Sequence, residues 1–267
     1  MRDGVPVLCT VDSAIVRYLA LNRFAKQVDL FDSILGIAPS YNMPRAVRRL
    51  KGHGLIETLI GDANTHLGYR LTRKGLHYAE KIMLIPDSVL KSRPAFRSQY
   101  DHDRIVNEAR RILSESPVVS DFITEAELRA SQEKSWRDHI DSNNRDWKVP
   151  DAIFKLMTKK GVLRVALEVE LSQKAKARYA KIMQAILISR QFDVVFFLCK
   201  DERLQSLIYR EVTEARAKNP MVKVSQRSNG IYFSTLETLR AMKTDAPWSG
   251  EENRFTIREI EESFSKK

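Results

Sequence analysis

The sequence predicts an α/β protein in two parts: a helix-rich N-terminal unit with one hairpin, and a larger C-terminal unit built on a sheet. Three observations carry this. Over residues 10–84 apolar side chains recur at helical spacing in several segments, broken by one pair of strand-like runs around a Gly/Asp/Asn turn. From residue 101 onward, short β-branched and aromatic runs alternate with helical stretches. Between them, "PDSVLKSRPAFRSQY" mixes prolines, serines and basic residues without any period, as a linker does. The expected division is residues 1–85, a linker over 86–100, a second domain over 101–243, and a charged C-terminal tail over 244–267.

In the first unit "DSAIVRYLALNRFA" has helical spacing, with Asp12 or Ser13 available as N-cap. "VDLFDSILGI" gives a short second helix that ends near Gly36. In "SYNMPRAVRRLKGHG", Asn42 can cap, Pro44 suits the first turn, and Gly52 or Gly54 stops the helix. Met43, Val47 and Leu50 share one face of it, and Arg45, Arg48 and Arg49 another. "LIETLIGDANTHLGYRL" reads as a hairpin, and "TRKGLHYAEKI" as a helix opened by Thr72. Three helices, a two-stranded wing and a closing helix make a winged helix-turn-helix. "YRLTRKGLHYAEK" resembles the wing and following helix of many bacterial winged-helix regulators. On such a unit DNA contact is expected from Arg45, Arg48 and Arg49 on the third helix, and from Arg70, Arg73 and Lys74 around the wing.

In the second unit "DHDRIVNEARRILSES" is an amphipathic helix with Ile105, Ala109 and Ile112 inward. "VVSDFIT" reads as a strand, and the polar stretch from Glu125 to Asp146 as partly helical. "WKVPDAIFKLM" and "VLRVALEVEL" are strands joined by the turn "TKKG". "SQKAKARYAKIMQAILISRQ" is a helix capped by Ser172, and "FDVVFFLC" is a continuous apolar strand of the buried kind. "DERLQSLIYREVTEARAKN" is a helix and "GIYFSTLETL" a last strand.

Charge narrows the partners. A formal net charge of +11 suits a polyanion, nucleic acid first, and no long basic amphipathic segment speaks for a membrane surface. Hydrophobic content of 43% with 30% charged residues excludes a disordered chain. Cys9 and Cys199 are the only cysteines, without CxxC spacing or a signal peptide, so a reducing, cytoplasmic location is expected.

The chemistry concentrates in "VPDAIFKLMTKKGVLRVALEVELSQK". Strand alternation puts Arg164, Ala166, Glu168 and Glu170 on one face and Leu163, Val165, Leu167 and Val169 on the other. Two carboxylates about 7 Å apart on one strand face repel unless a cation or solvent intervenes. One reading is a half-buried strand whose polar face is wet. The other is a metal site, with Asp151 on the preceding strand, Glu168 and Glu170 as carboxylate ligands for Mg²⁺ or Mn²⁺, and Lys174 beside them. Phosphodiester cleavage needs such a hard cation, and a nearby lysine neutralises charge that develops on the phosphoryl group. Lys174, Arg178 and Lys181 fall on one helix face, where they would hold DNA phosphates that the acids repel. Glu108 is a further candidate outer ligand. His53, His66, His77 and His139 show no ligand spacing.

Pro150-Asp151, Glu168-Val169-Glu170 and Lys174 within this element order resemble the PD-(D/E)XK nuclease superfamily over residues 101–199. Asp151 matches its aspartate and Glu168 its second acid. The lysine expected two residues later is Glu170 here, and Lys174 stands as the substitute. The winged helix together with "VPDAIF" and "LEVELSQKAKARYAKI" looks like the replication-relaxation family of plasmid proteins, which includes relaxases of the MobC type. That resemblance implies a metal-dependent endonuclease that nicks DNA in plasmid mobilisation or replication, alongside other mobilisation or replication proteins, and is compatible with a homo-oligomer. Two alternatives stay open: a DNA-binding regulator with a catalytically inactive nuclease-like domain, and a restriction-type endonuclease.

Overall fold

The computed structural model describes residues 6–22, 24–34, 43–60, 66–85, 90, 97–130, 149–179, 192–218, 230–251 and 253–265. Its chain divides into two compact units, Met1–Asn107 with Ala126–Gln132, and Glu108–Glu125 with Glu133–Lys267.

In the first unit α1 (Thr10–Asn22), α2 (Gln27–Ile34) and α3 (Met43–Gly52) precede a hairpin of β1 (Ile56–Ile60) and β2 (His66–Leu71), which α4 (Arg73–Lys81) follows. α1 starts earlier than the capping signals suggest. The Ser13 N–H already donates to the Cys9 carbonyl at 2.9 Å, so Asp12 sits inside the first turn and leaves its carboxylate for another partner. α3 buries Met43, Ala46, Val47 and Leu50 and turns Arg45 and Arg48 outward, as its periodicity requires. It stops where Gly54 takes φ 67°, and the Leu55 N–H closes back on the Leu50 carbonyl at 3.0 Å. The strands pair antiparallel, Ile56 opposite Leu71. Thr72 caps α4 by accepting the Gly75 N–H at 3.0 Å. Gly75 itself packs on β1's approach: a Cβ there would stand 1.9 Å from the Leu55 carbonyl oxygen, so only glycine fits. Ile15, Leu19, Leu30, Leu50 and Leu55 form the floor of this core, with no exposed surface.

α5 (Arg97–Leu113) begins inside the stretch expected as linker and continues past Asn107. β3 (Val119–Thr124), α6 (Glu125–Ala130), β4 (Ala152–Thr158), β5 (Gly161–Glu170), β6 (Val194–Cys199), α7 (Glu202–Lys218), β7 (Gly230–Thr235), α8 (Leu236–Met242), β8 (Pro247–Ser249), β9 (Arg254–Thr256) and α9 (Ile257–Ser265) follow. The seven strands of this second part form one mixed sheet in the order β3-β4-β5-β6-β7-β8-β9. β3, β4 and β5 form an antiparallel meander, β5, β6 and β7 run parallel, and β8 and β9 return antiparallel.

The two sheet faces differ in what they pack. On one, Phe122, Phe154, Phe196 and Trp248 form a chain of ring contacts, the closest being Phe196 on Trp248 at 4.2 Å. On the other, Val195, Phe197, Cys199, Ile231 and Phe233 meet Tyr179 and the Leu204, Ile208 and Val212 stripe of α7.

Two sequence expectations change here. "GIYFSTLETL" is not one strand: Thr235 accepts the Thr238 N–H at 3.1 Å and turns the chain into α8. Residues 244–267, expected as a peripheral charged tail, supply β8, β9 and α9, because Trp248 and Ile257 are apolar enough to be buried completely. Among the described residues no helix is long and apolar enough to cross a membrane.

Candidate functional site

The strand alternation that sets Glu168 and Glu170 on one face holds, but the face is not wet. Asp151 is 6% exposed, Glu168 1% and Glu170 0%. β5 lies between β4 and β6, with Glu168 beside Phe197 and Glu170 beside Cys199 in the parallel register, so apolar neighbours replace solvent. A carboxylate taken out of water without a partner is costly, which makes the partners informative.

Asp151 stands one residue before β4, whose first residue Ala152 pairs with Leu167. Its Oδ2 accepts the Val169 backbone N–H at 2.7 Å, which brings the carboxylate to the backbone between the two glutamates. The Asp151 carbonyl accepts the Glu125 N–H at 2.8 Å and fixes the strand entry. Glu170 closes β5, and its carbonyl accepts the Lys200 N–H at 2.8 Å. Its Oε1 takes the Lys174 ammonium at 2.5 Å. Its Oε2 is buried and has no hydrogen-bond partner among the described residues.

Lys174 was expected in the first turn of the next helix. It lies in the non-helical stretch just before the helical residues 176–179, and its backbone N–H donates to the Tyr179 hydroxyl at 3.0 Å. Burial, more than any charge, pushes the Tyr179 phenol up to about 12, so it stays a neutral hydroxyl. Sequence reasoning gave Tyr179 no part in the site, because no residue pattern signals this contact. Burial also pushes the Cys199 thiol up to about 12, reinforced by Glu170 and then Asp201.

All three acids offer hard oxygen donors of the kind Mg²⁺ accepts, and Mg²⁺ keeps several waters, so two or three carboxylates suffice. The bare Oε2 of Glu170 is a donor position that no described protein group fills. The residues therefore fit a divalent ion chemically, although among the described residues no three His, Cys, Asp or Glu side chains form a ready-made metal group. Glu108 is otherwise engaged: Arg240 holds its carboxylate in a fork, with both bonds at 2.7 Å.

The expected DNA-binding residues separate into two kinds. Arg45 and Arg48 are exposed on α3 and Arg73 at the start of α4. Arg49 instead reaches the buried Asp12, from Nη2 to Oδ1 at 2.8 Å and from Nε to Oδ2 at 3.1 Å. That pairing holds its guanidinium above the usual range, chiefly through the Asp12 hydrogen bonds. Arg70 pairs with Glu57 across the hairpin at 2.6 Å, and Lys74 donates to the His53 carbonyl at 3.0 Å. Arg178 is exposed, whereas Lys181 lies outside the described residues.

No family model, curated protein or solved structure matches this chain.

Proposed function

We propose that this chain is a metal-dependent DNA endonuclease of the nicking kind, with a winged helix-turn-helix that reads DNA and a PD-(D/E)XK-like unit that cleaves it. Plasmid mobilisation or replication is the setting this reading favours. The observation that carries it is the burial of Asp151, Glu168 and Glu170 around Val169, with Glu170 Oε2 bare. Burying three acids in an apolar strand environment is costly, and a divalent cation gives them a reason to be there.

Asp151, Glu168 and Glu170 would hold the ion. When bound, Mg²⁺ or Mn²⁺ supplies Lewis-acid polarisation of a phosphoryl oxygen and makes water acidic enough to attack. The protein's own contribution is to keep the carboxylates fixed: Asp151 through the Val169 N–H, Glu170 through its place at the end of β5. Lys174 brings the positive charge that the developing phosphoryl transition state needs. Exposed Arg45, Arg48 and Arg73 provide phosphate contacts, in keeping with a net charge of +11.

One feature favours a second reading, a DNA-binding regulator that no longer cleaves: the Lys174 ammonium is already neutralised by Glu170. Supercoiled plasmid carrying the protein's own locus, incubated with protein and Mg²⁺ or Mn²⁺, separates the two. Nicked circles lost on Glu168→Gln support the nuclease, linear product points to a restriction-type enzyme, and retarded but uncut plasmid supports the regulator.

A further inference from the structure

Glu170 has two oxygens in different states. Oε1 carries the Lys174 ammonium, and Oε2 is buried and bare among the described residues. The lysine is not locked in place by a helix, because residues 171–175 are non-helical. Its main chain is pinned through the N–H donated to Tyr179 Oη at 3.0 Å, and its ammonium is held by Glu170 Oε1 alone of the described carboxylates. Tyr179 is itself buried against Phe197 and α7, so it is a fixed post. Beyond that post runs a flexible four-carbon stem whose side chain is 21% exposed, against 1% for Glu170. The lysine end of this pair is partly exposed and the glutamate end is not.

We propose that Lys174 is an exchangeable counterion: its ammonium weakens the hold of Glu170 on divalent cations in the free protein and leaves it for a nucleic-acid phosphate, coupling the two binding events. The inference rests on the reading of the acids as a metal site. Its physical basis is that a divalent ion and an ammonium on one carboxylate repel each other twice as strongly as two monovalent ions would. Moving the ammonium from a carboxylate to a phosphate oxygen exchanges one charge-assisted hydrogen bond for another, so the transfer costs little once DNA is present. Reciprocity then follows: whatever factor DNA adds to cation affinity, the cation adds to DNA affinity. Arginine would do this less well, since its planar fork would hold both carboxylate oxygens.

The test uses the full chain and Mn²⁺ as probe, titrated calorimetrically with and without a short duplex oligonucleotide. Lys174→Met is expected to bind Mn²⁺ about tenfold more tightly than wild type without DNA, and to lose most of the further gain that duplex gives wild type. Lys174→Gln, which keeps a polar end without charge, should behave alike and covers the case in which the methionine variant does not fold. A second readout needs no variant: amine acetylation followed by mass spectrometry should label Lys174 severalfold faster with saturating Mn²⁺, relative to exposed Lys159. Folded variants that bind Mn²⁺ no better than wild type, or Lys174 labelling indifferent to bound Mn²⁺, would overturn the exchange while leaving the metal site standing. Wild type that binds no Mn²⁺ even with duplex overturns the metal reading and the exchange together.

Discussion

Replacing Asp151 by alanine and by asparagine separates two jobs of one carboxylate. Its Oδ2 accepts the buried Val169 N–H at 2.7 Å, so alanine leaves that donor without its charged acceptor. A hydrogen bond to a charged group contributes roughly 1.5–3 kcal/mol. In a unit of this size each kcal/mol moves the melting temperature by about 2–4 °C, so Asp151→Ala should melt on the order of 3–12 °C lower. Asparagine keeps an acceptor oxygen in the same place and removes one of the three buried carboxylates. Its stability should therefore stay within about 0.5 kcal/mol of wild type, or rise. Nicking should follow a different order, lost in both variants, because neither keeps the anionic ligand. Thermal unfolding by circular dichroism and the plasmid assay together give both rankings. An alanine variant that melts with wild type would refute the hydrogen-bond geometry. An asparagine variant that nicks at the wild-type rate would refute the role of the charge.

Other consequences can be checked in parallel. Arg49→Ala should destabilise the N-terminal unit by about 1–2 kcal/mol, because it strips a buried Asp12 of its partner, whereas Arg45→Ala and Arg48→Ala should stay within about 0.5 kcal/mol. The same two exposed arginines, not Arg49, should dominate the loss of DNA affinity and the flattened salt dependence, each phosphate contact removing about one counterion. Trp248→Ala should cost about 3–5 kcal/mol by urea unfolding, and Trp248→Phe much less, since the buried indole N–H has no hydrogen-bond partner among the described residues. Cys199 and Tyr179 are held neutral in the folded chain, raised from 9.0 and 10.0 to about 12, chiefly by burial. Unfolding frees them to ionise, so the stability they hold is complete below pH 9 and falls as pH rises toward 12, which urea midpoints on either side of pH 9 will show. At neutral pH a thiol reagent should find Cys9 in the native protein and Cys199 only after unfolding.

Much of the architecture is legible from local rules. The helical spacing of Met43, Val47 and Leu50 determines which face of α3 is buried, and period two puts Glu168 and Glu170 together with Ala166. Pro44 and Thr72 mark helix starts because their effects act within one turn of backbone. The same rules erred where a short-range signal competed with a period. Thr235 ends a strand and caps a helix within "FSTLET", although the apolar run on either side suggests continuous extension.

Partners are another matter, because a charge is satisfied by whatever folding carries to it. Arg45, Arg48 and Arg49 look alike in sequence, yet Arg49 meets an aspartate 37 residues away on α1 and the other two face outward. A stretch rich in charge at residues 244–267 reads as a tail until Phe196, far upstream, provides a surface for Trp248. The acids follow the same logic. Their types and shared face were set by the sequence alone, since alternation is a property of the strand itself. That this face is dry, that Lys174 sits on one oxygen of Glu170 and that the other is bare were decided by β6 and Tyr179 closing over β5, contacts whose energy exists only once distant segments have packed.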